Sequence, residues 1–587
     1  MPPNVQALHS GALSFLDNAF AKIFSIFMVW FSPRARFMLL LVLALLCFGA
    51  AIGALALPQY LTPPPPAFQP RRAFANTDVN PFGANFFLER EVEAWKRERT
   101  VQMAREAGIG WARQEFIWAE IEPEPGIYNW SKYDDIVDLF RRNNIRVIAR
   151  LDRPPQWARV NASGTGSSGP PDNFETYGKF VSEFVKRYQT KITYLQIWNE
   201  PNLGREWNDA PVDPAAYTRL LKIAYENAKA VDPNVYLLSA PLAITLGEPL
   251  APNSSQYRNM NDLRFLEEMY AAGAQKYFDI MSANAFGLGS APDDPPNPGT
   301  LNFQRVLLAR AVMEKFDDAA KPIWILEYGW NAAPDSIPDS RLIWGRVTEE
   351  QQAEYTVRGI QLARENWLWA GVLSIWFFRQ VGDIPPSNPE YFFRMVDADF
   401  APRPVYFSVS EASKPQRVAN PGEYEETNPA LTFSGDWRYQ TDANAFGAQY
   451  IRVAEPLSNT STADTATLRF YGETVDLIAR RAPGAGRVWV TLDGKPVNGL
   501  PRGATGESFV ELASAQTEWR AVLPVARNLA RGEHTLELRA DGAVNLDGFQ
   551  VAPLTRAEPP WLWIGIFGGL GLVCMGAAAS QRPRMTR

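Results

Sequence analysis

At 587 residues the chain is longer than one ordinary domain, so two or three folded units are expected. A formal net charge of −6 argues against nucleic acid as the main partner. The two cysteines, Cys47 and Cys574, both sit in long apolar runs and offer no disulfide framework to the polar part of the chain. With His9 and His534 the only histidines, there is almost no room for a Ser-His-Asp triad or a His-ligated zinc site. Chemistry here must run on carboxylates, and that chemistry needs no metal or organic cofactor.

Residues 1–36 read as a cytoplasmic tail. Within it, 12–31 mixes aromatic and polar side chains and suits either a membrane surface or a tail with apolar spots. Residues 37–57 are uncharged and about long enough to span a bilayer. Arg34 and Arg36 precede them, which by the positive-inside rule keeps the N-terminus in the cytoplasm. A cleaved signal peptide is the competing reading. Residues 58–79, with Pro63 to Pro66 and Gln69-Pro-Arg-Arg72, form a stiff, extended linker. A second apolar segment covers 561–579, opened by Trp561 and Trp563 at interfacial positions. A basic tail, 580–587, follows with Arg582, Arg584 and Arg587. Both spans orient the chain the same way, in the cell membrane with everything between them extracytoplasmic.

Between 80 and 410, strand-like and helix-like segments alternate. Strands are expected at 82–87, 111–116, 146–152, in the run ending at Glu200, at 235–241 and 278–286, in the run ending at Glu327, and at 371–379. Helices are expected at 91–107, 132–143, 174–188, 215–231, 262–272, 303–317 and 349–366. Eight strands with intervening helices define an α/β chain folded as a (β/α)8 TIM barrel. A doubly wound open sheet is the alternative, but no Gly-rich phosphate turn supports it. After a linker at 411–429, residues 430–553 turn to short alternating runs such as 466–471, 474–479, 488–492, 518–523 and 534–539. That texture predicts an all-β sandwich of jelly-roll type.

Two of the barrel strands end alike. Thr193-Tyr-Leu-Gln-Ile-Trp-Asn-Glu-Pro-Asn202 is an apolar run closed by Asn199 and Glu200, and Pro201, having no N–H, stops the ladder. Lys321-Pro-Ile-Trp-Ile-Leu-Glu-Tyr-Gly-Trp330 carries Glu327 in the same place. Two carboxylates delivered to one rim are the equipment for glycosidic bond cleavage. These strings resemble the fourth and seventh barrel strands of clan A glycoside hydrolases, with families 39 and 5 the nearest in flavour. The end of the second unit, Gly532-Glu-His-Thr-Leu-Glu-Leu538 and Leu546-Asp-Gly-Phe549, resembles galactose-binding-like domains.

The resemblance implies roles residue by residue. Glu200 matches the clan's acid/base and Glu327 its nucleophile. Asn199 matches the side chain that binds the sugar 2-hydroxyl, and Arg113, in Gly110-Trp-Ala-Arg113, the arginine paired with the nucleophile. Trp376, in Ser374-Ile-Trp-Phe377, matches a sugar platform. Trp118, Trp157 and Trp330 follow other strand ends and are read as cleft lining, with core packing as the rival for each. The sixth strand departs from the pattern. Met281-Ser-Ala-Asn-Ala-Phe-Gly287 puts Asn284 and Phe286 where the clan has a His or Tyr, and Phe286 cannot hydrogen-bond. The stretch 121–130 reads as scaffold, and the loops 160–171 and 287–299 as cleft walls.

The reading is a membrane-anchored retaining glycoside hydrolase acting on the β-glycosidic bonds of an oligo- or polysaccharide, without a nucleic-acid partner. A non-catalytic glycan-binding or envelope protein on a decayed barrel, and a transglycosidase, are the alternatives. The expected topology is checked by reporter fusions in a bacterial host. Alkaline phosphatase joined after residue 79 should be active, and the same reporter joined after Arg587 should be inactive.

Overall fold

The structure is a computed structural model that describes residues 32–61, 66–160, 169–189, 191–252, 254–382, 384–453, 463–553 and 561–580. The amphipathic stretch 12–31, most of the loop 160–171 and the arginines of the C-terminal tail lie outside them. The chain forms two compact units: residues 68–553, and the two terminal segments together.

In the terminal unit, helices Pro33–Leu61 and Trp561–Ser580 are both long and apolar enough to cross a membrane. They pack on each other through small side chains. Ala44, Ala51 and Ala578 are buried, and a Cβ on Gly571 would meet the Phe48 ring at 3.0 Å. Apolar solvent gives helices no hydrophobic reason to associate, so close backbone approach at small residues has to supply the contact.

In the larger unit eight parallel strands close a barrel. They are β1 (Phe82–Phe86), β2 (Trp111–Ile117), β3 (Arg146–Asp152), β4 (Tyr194–Ile197), β5 (Tyr236–Leu238), β6 (Met281–Phe286), β7 (Ile323–Gly329) and β8 (Ala370–Ile375). Their order is 5-4-3-2-1-8-7-6, and a parallel bridge from Leu238 to Ile280 joins the two ends. Strands buried on both faces need continuous apolar runs, and β1, β4, β6, β7 and β8 are buried at every position. The helices predicted at 174–188 and 349–366 form with those bounds, as Phe174–Tyr188 and Glu349–Asn366. Asn173 caps the first through Glu175 N, and a Thr348–Gln351 capping box starts the second. The helix expected over 303–317 opens with a 3-10 turn, Phe303–Arg305, before Val306–Lys315. A short hairpin after β5, Glu248–Pro249 with Tyr257–Asn259, was not expected from the sequence.

The lower barrel interior is filled by rings. Trp111, Tyr194 and Trp324 form one cluster, with Trp324 4.8 Å from each of the other two. Above this plug, towards the C-terminal ends of the strands, the interior becomes polar, with Arg113, Gln196, Asn284 and Glu327.

Residues 422–551 form two antiparallel sheets. One is centred on Val475–Arg481 and Val544–Val551, the other on Thr465–Gly472, Arg487–Leu492 and Gly532–Asp541. Alternating side chains such as Leu468, Phe470, Leu536 and Leu538 fill the space between them. Much of 411–429 is held by the fold: Gly422–Tyr424 pairs with Val544–Val551 as an added strand. Part of 58–79 is held too. Gln69 bridges to Gly422, and Asp78 accepts from Glu425 N and from Asn428 Nδ2, both at 2.9 Å.

That junction buries four acids, Asp78, Glu425, Glu426 and Asp547. Burial pushes Glu425 up to about 8 and Asp547 up to about 7, and raises Asp78 and Glu426 as well. A carboxyl whose folded pKa is raised stabilises the fold when protonated. That contribution is complete below about pH 4 and is lost as pH rises to about 8. The thermal unfolding midpoint should therefore fall between pH 5 and pH 8.5 in scanning fluorimetry. Glu425→Gln, which cannot ionise, should flatten the fall.

Candidate active site

The rim is built from two local departures from regular strand geometry. After β4, Trp198 and Glu200 adopt φ of 73° and 41°, left-handed backbone that side chains other than glycine rarely take. The turn is pinned from several sides. Glu200 N donates to Pro241 O at 3.1 Å, Trp198 Nε1 to Glu206 O at 3.1 Å, and Asn202 Nδ2 to Ala243 O at 2.8 Å. In β7 the register slips. Ala283 pairs with Ile325 but Asn284 pairs with Glu327, so Leu326 is an extra residue, and the pairing with β8 shifts in the same place. Trp324 faces the interior, and strict alternation would send Glu327 outward. The bulge at Leu326 restores Glu327 to the inside. Asn85 Nδ2 bonds Leu326 O at 3.0 Å and so satisfies the bulged carbonyl.

Arg113 holds the assembly together. It is 3% exposed and donates to four oxygens from different parts of the barrel: Asn85 Oδ1 at 2.6 Å, Gln196 Oε1 at 2.6 Å, Asn199 Oδ1 at 2.7 Å and Glu327 Oε1 at 2.7 Å. Gln196 in turn donates to Trp198 O at 2.7 Å. On the opposite side Asn284 Nδ2 donates to Glu200 Oε1 at 3.0 Å and Glu327 Oε2 at 3.3 Å. The two predicted carboxylates thus come together at the rim, with an amide between them. Arg205, on the turn after β4, donates to Glu200 Oε2 at 3.1 Å.

Burial is the main force raising Glu327, which is pushed up to about 7. The Glu200 charge adds to this, while Arg113 and Arg150 oppose it. Beside the pair lies a second charged group. Arg150 bonds Asp152 at 2.6 Å and lies 3.2 Å from Glu115, and Arg153 bonds Glu115 at 3.0 Å. Burial works against ionisation of Glu115, but Arg150 and Arg153 overcome it and hold Glu115 down at about 2. Glu206, also buried, is pushed up to about 7.

Among the residues predicted from sequence, the structure gathers Glu200, Glu327, Asn199, Arg113 and Asn284 at this rim. Trp376 is half-buried at the end of β8, 5.7 Å ring to ring from Phe87 and 6.5 Å from Phe286. Phe286 continues an apolar wall to Phe393 at 5.6 Å, so the sixth strand supplies its polar group at Asn284 and packs with Phe286. Trp330 is 1% exposed in the main core, and its indole donates to Ser290 O at 2.7 Å, tying down the loop 287–299. Trp157 is half-buried, donates to Glu122 O at 3.1 Å and stands edge-on to Trp118, itself fully buried. Tyr328 faces away from the rim, with its hydroxyl on Thr356 O at 3.2 Å.

Sequence reasoning missed Asn85, Gln196 and Arg205. The first two carried a signal, since each is a lone amide inside a strand buried at every position. Among the described residues no group of three or more His, Cys, Asp or Glu is placed to hold a metal ion.

Comparison with known proteins finds glycoside hydrolases. The Beta-galactosidase family model of glycoside hydrolase family 42 matches residues 88–161. A Beta-xylosidase of Geobacillus stearothermophilus is 24% identical over 329 residues, 51% of this chain and 58% of that protein. Beta-galactosidase BgaA of Clostridium cellulovorans is 31% identical over 86 residues, 12% of this chain and 13% of that protein. A family 39 glycoside hydrolase structure from the gut symbiont Bacteroides cellulosilyticus WH2 superposes with a TM-score of 0.45 at 18% identity, covering 80% of this chain and 82% of that one. The chain is similar to clan A glycoside hydrolases, and it spans little more than half the length of the first of these curated relatives.

Removing one member of a buried ion pair strands the other. Arg113→Met should therefore cost about 3–5 kcal/mol in urea unfolding followed by tryptophan fluorescence. Arg113→Met combined with Glu327→Leu should recover most of that loss.

Proposed function

We propose that the chain is a retaining glycoside hydrolase that cleaves β-glycosidic bonds of an oligo- or polysaccharide. The observation that carries this reading is the Asn284 amide, which contacts both Glu200 and Glu327. Its two contacts laid end to end set the greatest separation of those oxygens. That length falls short of the roughly 6.5–9.5 Å that an inverting pair needs to seat a water. A pair this close favours direct attack on the anomeric carbon.

In the first step a Glu327 oxygen bonds to the anomeric carbon as the glycosidic C–O bond breaks, and Glu200 gives its proton to the departing oxygen. In the second, Glu200 takes a proton from water, whose oxygen attacks the same carbon and releases Glu327. Glu327 must be ionised to attack, and Arg113 favours that form against burial and the neighbouring Glu200 charge. In this reading Asn199, held by Arg113, binds the sugar 2-hydroxyl and Trp376 faces the ring. The names of the two curated relatives, a beta-xylosidase and a beta-galactosidase, support a β-linked sugar as substrate. The two apolar helices support membrane anchoring, and Arg34 and Arg36 before the first support placing barrel and sandwich outside the cytoplasm.

A panel of 2-fluoro-glycosides, with peptide mass spectrometry of the product, tests the mechanism. A label on Glu327 that disappears in Glu327→Gln is the expected result, and labelling elsewhere would sink the assignment. The pH profile gives a second check. With an aryl glycoside whose leaving group needs no proton, kcat/KM should rise with pH through about 7 as Glu327 ionises. Glu200→Gln removes the neighbouring like charge, so that rise should move to lower pH.

A further inference from the structure

The larger unit contains a second recess, at the opposite end of the barrel from Glu200 and Glu327. It is a cleft of about 1090 Å³ between the N-terminal ends of β2, β3 and β4 and the sandwich strands Leu431–Ser434 and Arg438–Thr441. That is as large as the biggest ligand sites, typically about 300–1,000 Å³, and has room for several saccharide units.

Its charge is opposite in sign to that of the whole chain, which is −6. Arg105, Arg142 and Arg417 line it, and among the described residues none of the three has a carboxylate within ion-pair distance. Burial, together with the charges of Arg469 and Arg105, depresses the Arg417 pKa, so this corner repels itself. Lys191 and Arg141 share one acid, Asp138, at 2.7 and 3.9 Å. Glu426 lines the cleft as well, fully buried, and burial followed by the Glu425 charge raises its pKa well above the ordinary range. Arg146 stacks between the two walls, 3.9 Å from the Tyr439 ring and 4.5 Å from Trp111. Like charges gathered around a cleft repel one another, and an entering anion relieves that repulsion.

The remaining lining points to the kind of anion. Phe433 and Tyr439 line the sandwich wall half-buried, Tyr439 with Arg146 over its ring, and the amides of Asn143, Asn144 and Gln189 stand beside the cations. Rings for C–H faces, amides for hydroxyls and guanidinium groups for acid groups together suit a sugar that carries negative charge.

We propose that this cleft binds an anionic saccharide, bearing uronate carboxylates or sulfate or phosphate esters, at a site separate from the carboxylate pair. The site holds its ligand without reacting with it, so it goes beyond the proposed hydrolysis and stands whether or not that reading does.

The test is titration calorimetry on the detergent-solubilised full chain carrying Glu327→Gln. The probes are a galacturonate hexasaccharide, a heparin-derived hexasaccharide and neutral cellohexaose. At least one anionic probe should bind with Kd under about 1 mM, at least about tenfold more tightly than cellohexaose. Arg105→Glu with Arg142→Glu should weaken that binding by about tenfold or more while leaving the unfolding midpoint in place. If that variant fails to fold, Arg142→Gln and a salt titration replace it, and raising salt from about 20 to about 300 mM should weaken binding several-fold. Absence of binding by both anionic probes, equal binding of cellohexaose, indifference to charge reversal or to salt, or tighter binding of an oligothymidylate of equal charge would each overturn the proposal.

Discussion

The barrel rim is organised by the burial of one cation. A guanidinium taken out of water must recover its lost hydration from fixed acceptors, and Arg113 does so from four side chains on separate segments. Each acceptor is thereby located. Asn85 is set on β1, Gln196 on β4, Asn199 at the turn beyond it, and Glu327 on β7. Had these groups been on one loop, the fork would have fixed only that loop. Because they come from across the sheet, the same contacts that satisfy the charge also fix the spacing of the polar groups at the rim. The planar five-donor fork of arginine can do this where lysine, with a point charge, cannot.

Electrostatics then divides the two carboxylates. Glu327 lies against Arg113 and is 5% exposed, so its charge is stabilised by one strong partner and opposed by burial and by Glu200. Glu200 meets the more exposed Arg205 and shares the Asn284 amide. Asn284 is neutral in every state and can donate to whichever carboxylate carries charge. It therefore tolerates a proton moving from one acid to the other, which a fixed cation in the same place would resist.

The fold was largely legible because its signals are periodic. Apolar runs of strand length, all but the first preceded by a helix, gave all eight strands, and β3 keeps its predicted bounds of Arg146–Asp152. Caps such as Asn173 and Thr348 made two helix starts readable to the residue. In the sandwich, short strands such as Gln449–Val453 and Arg438–Thr441 escaped notice, because their alternation is too brief to rise above loop sequence. At the site, the acids announced themselves by interrupting apolar strands. The tryptophans did not separate, since an indole that fills a core and one that faces a cleft have the same sequence context. Trp330 went to the core and Trp376 to the rim for reasons that lie in the packing of Phe303 and Phe393. Arg205 had no signal at all, because its role depends on a turn whose backbone is left-handed on both sides of Asn199.

The extra residue at Leu326 separates two demands that a regular strand would bind together. The hydrophobic pattern of β7 up to Ile325 answers to the ring-filled plug below. From Glu327 onward the strand answers to the polar rim above, and one unpaired residue acts as the frame shift between them. A chain of the same length that kept strict alternation there would keep its barrel and its fold, yet turn its carboxylate towards the surrounding helices. Glu327 thus faces inward through an irregularity that composition does not reveal, and a chain one residue shorter would need no bulge to reach the same orientation.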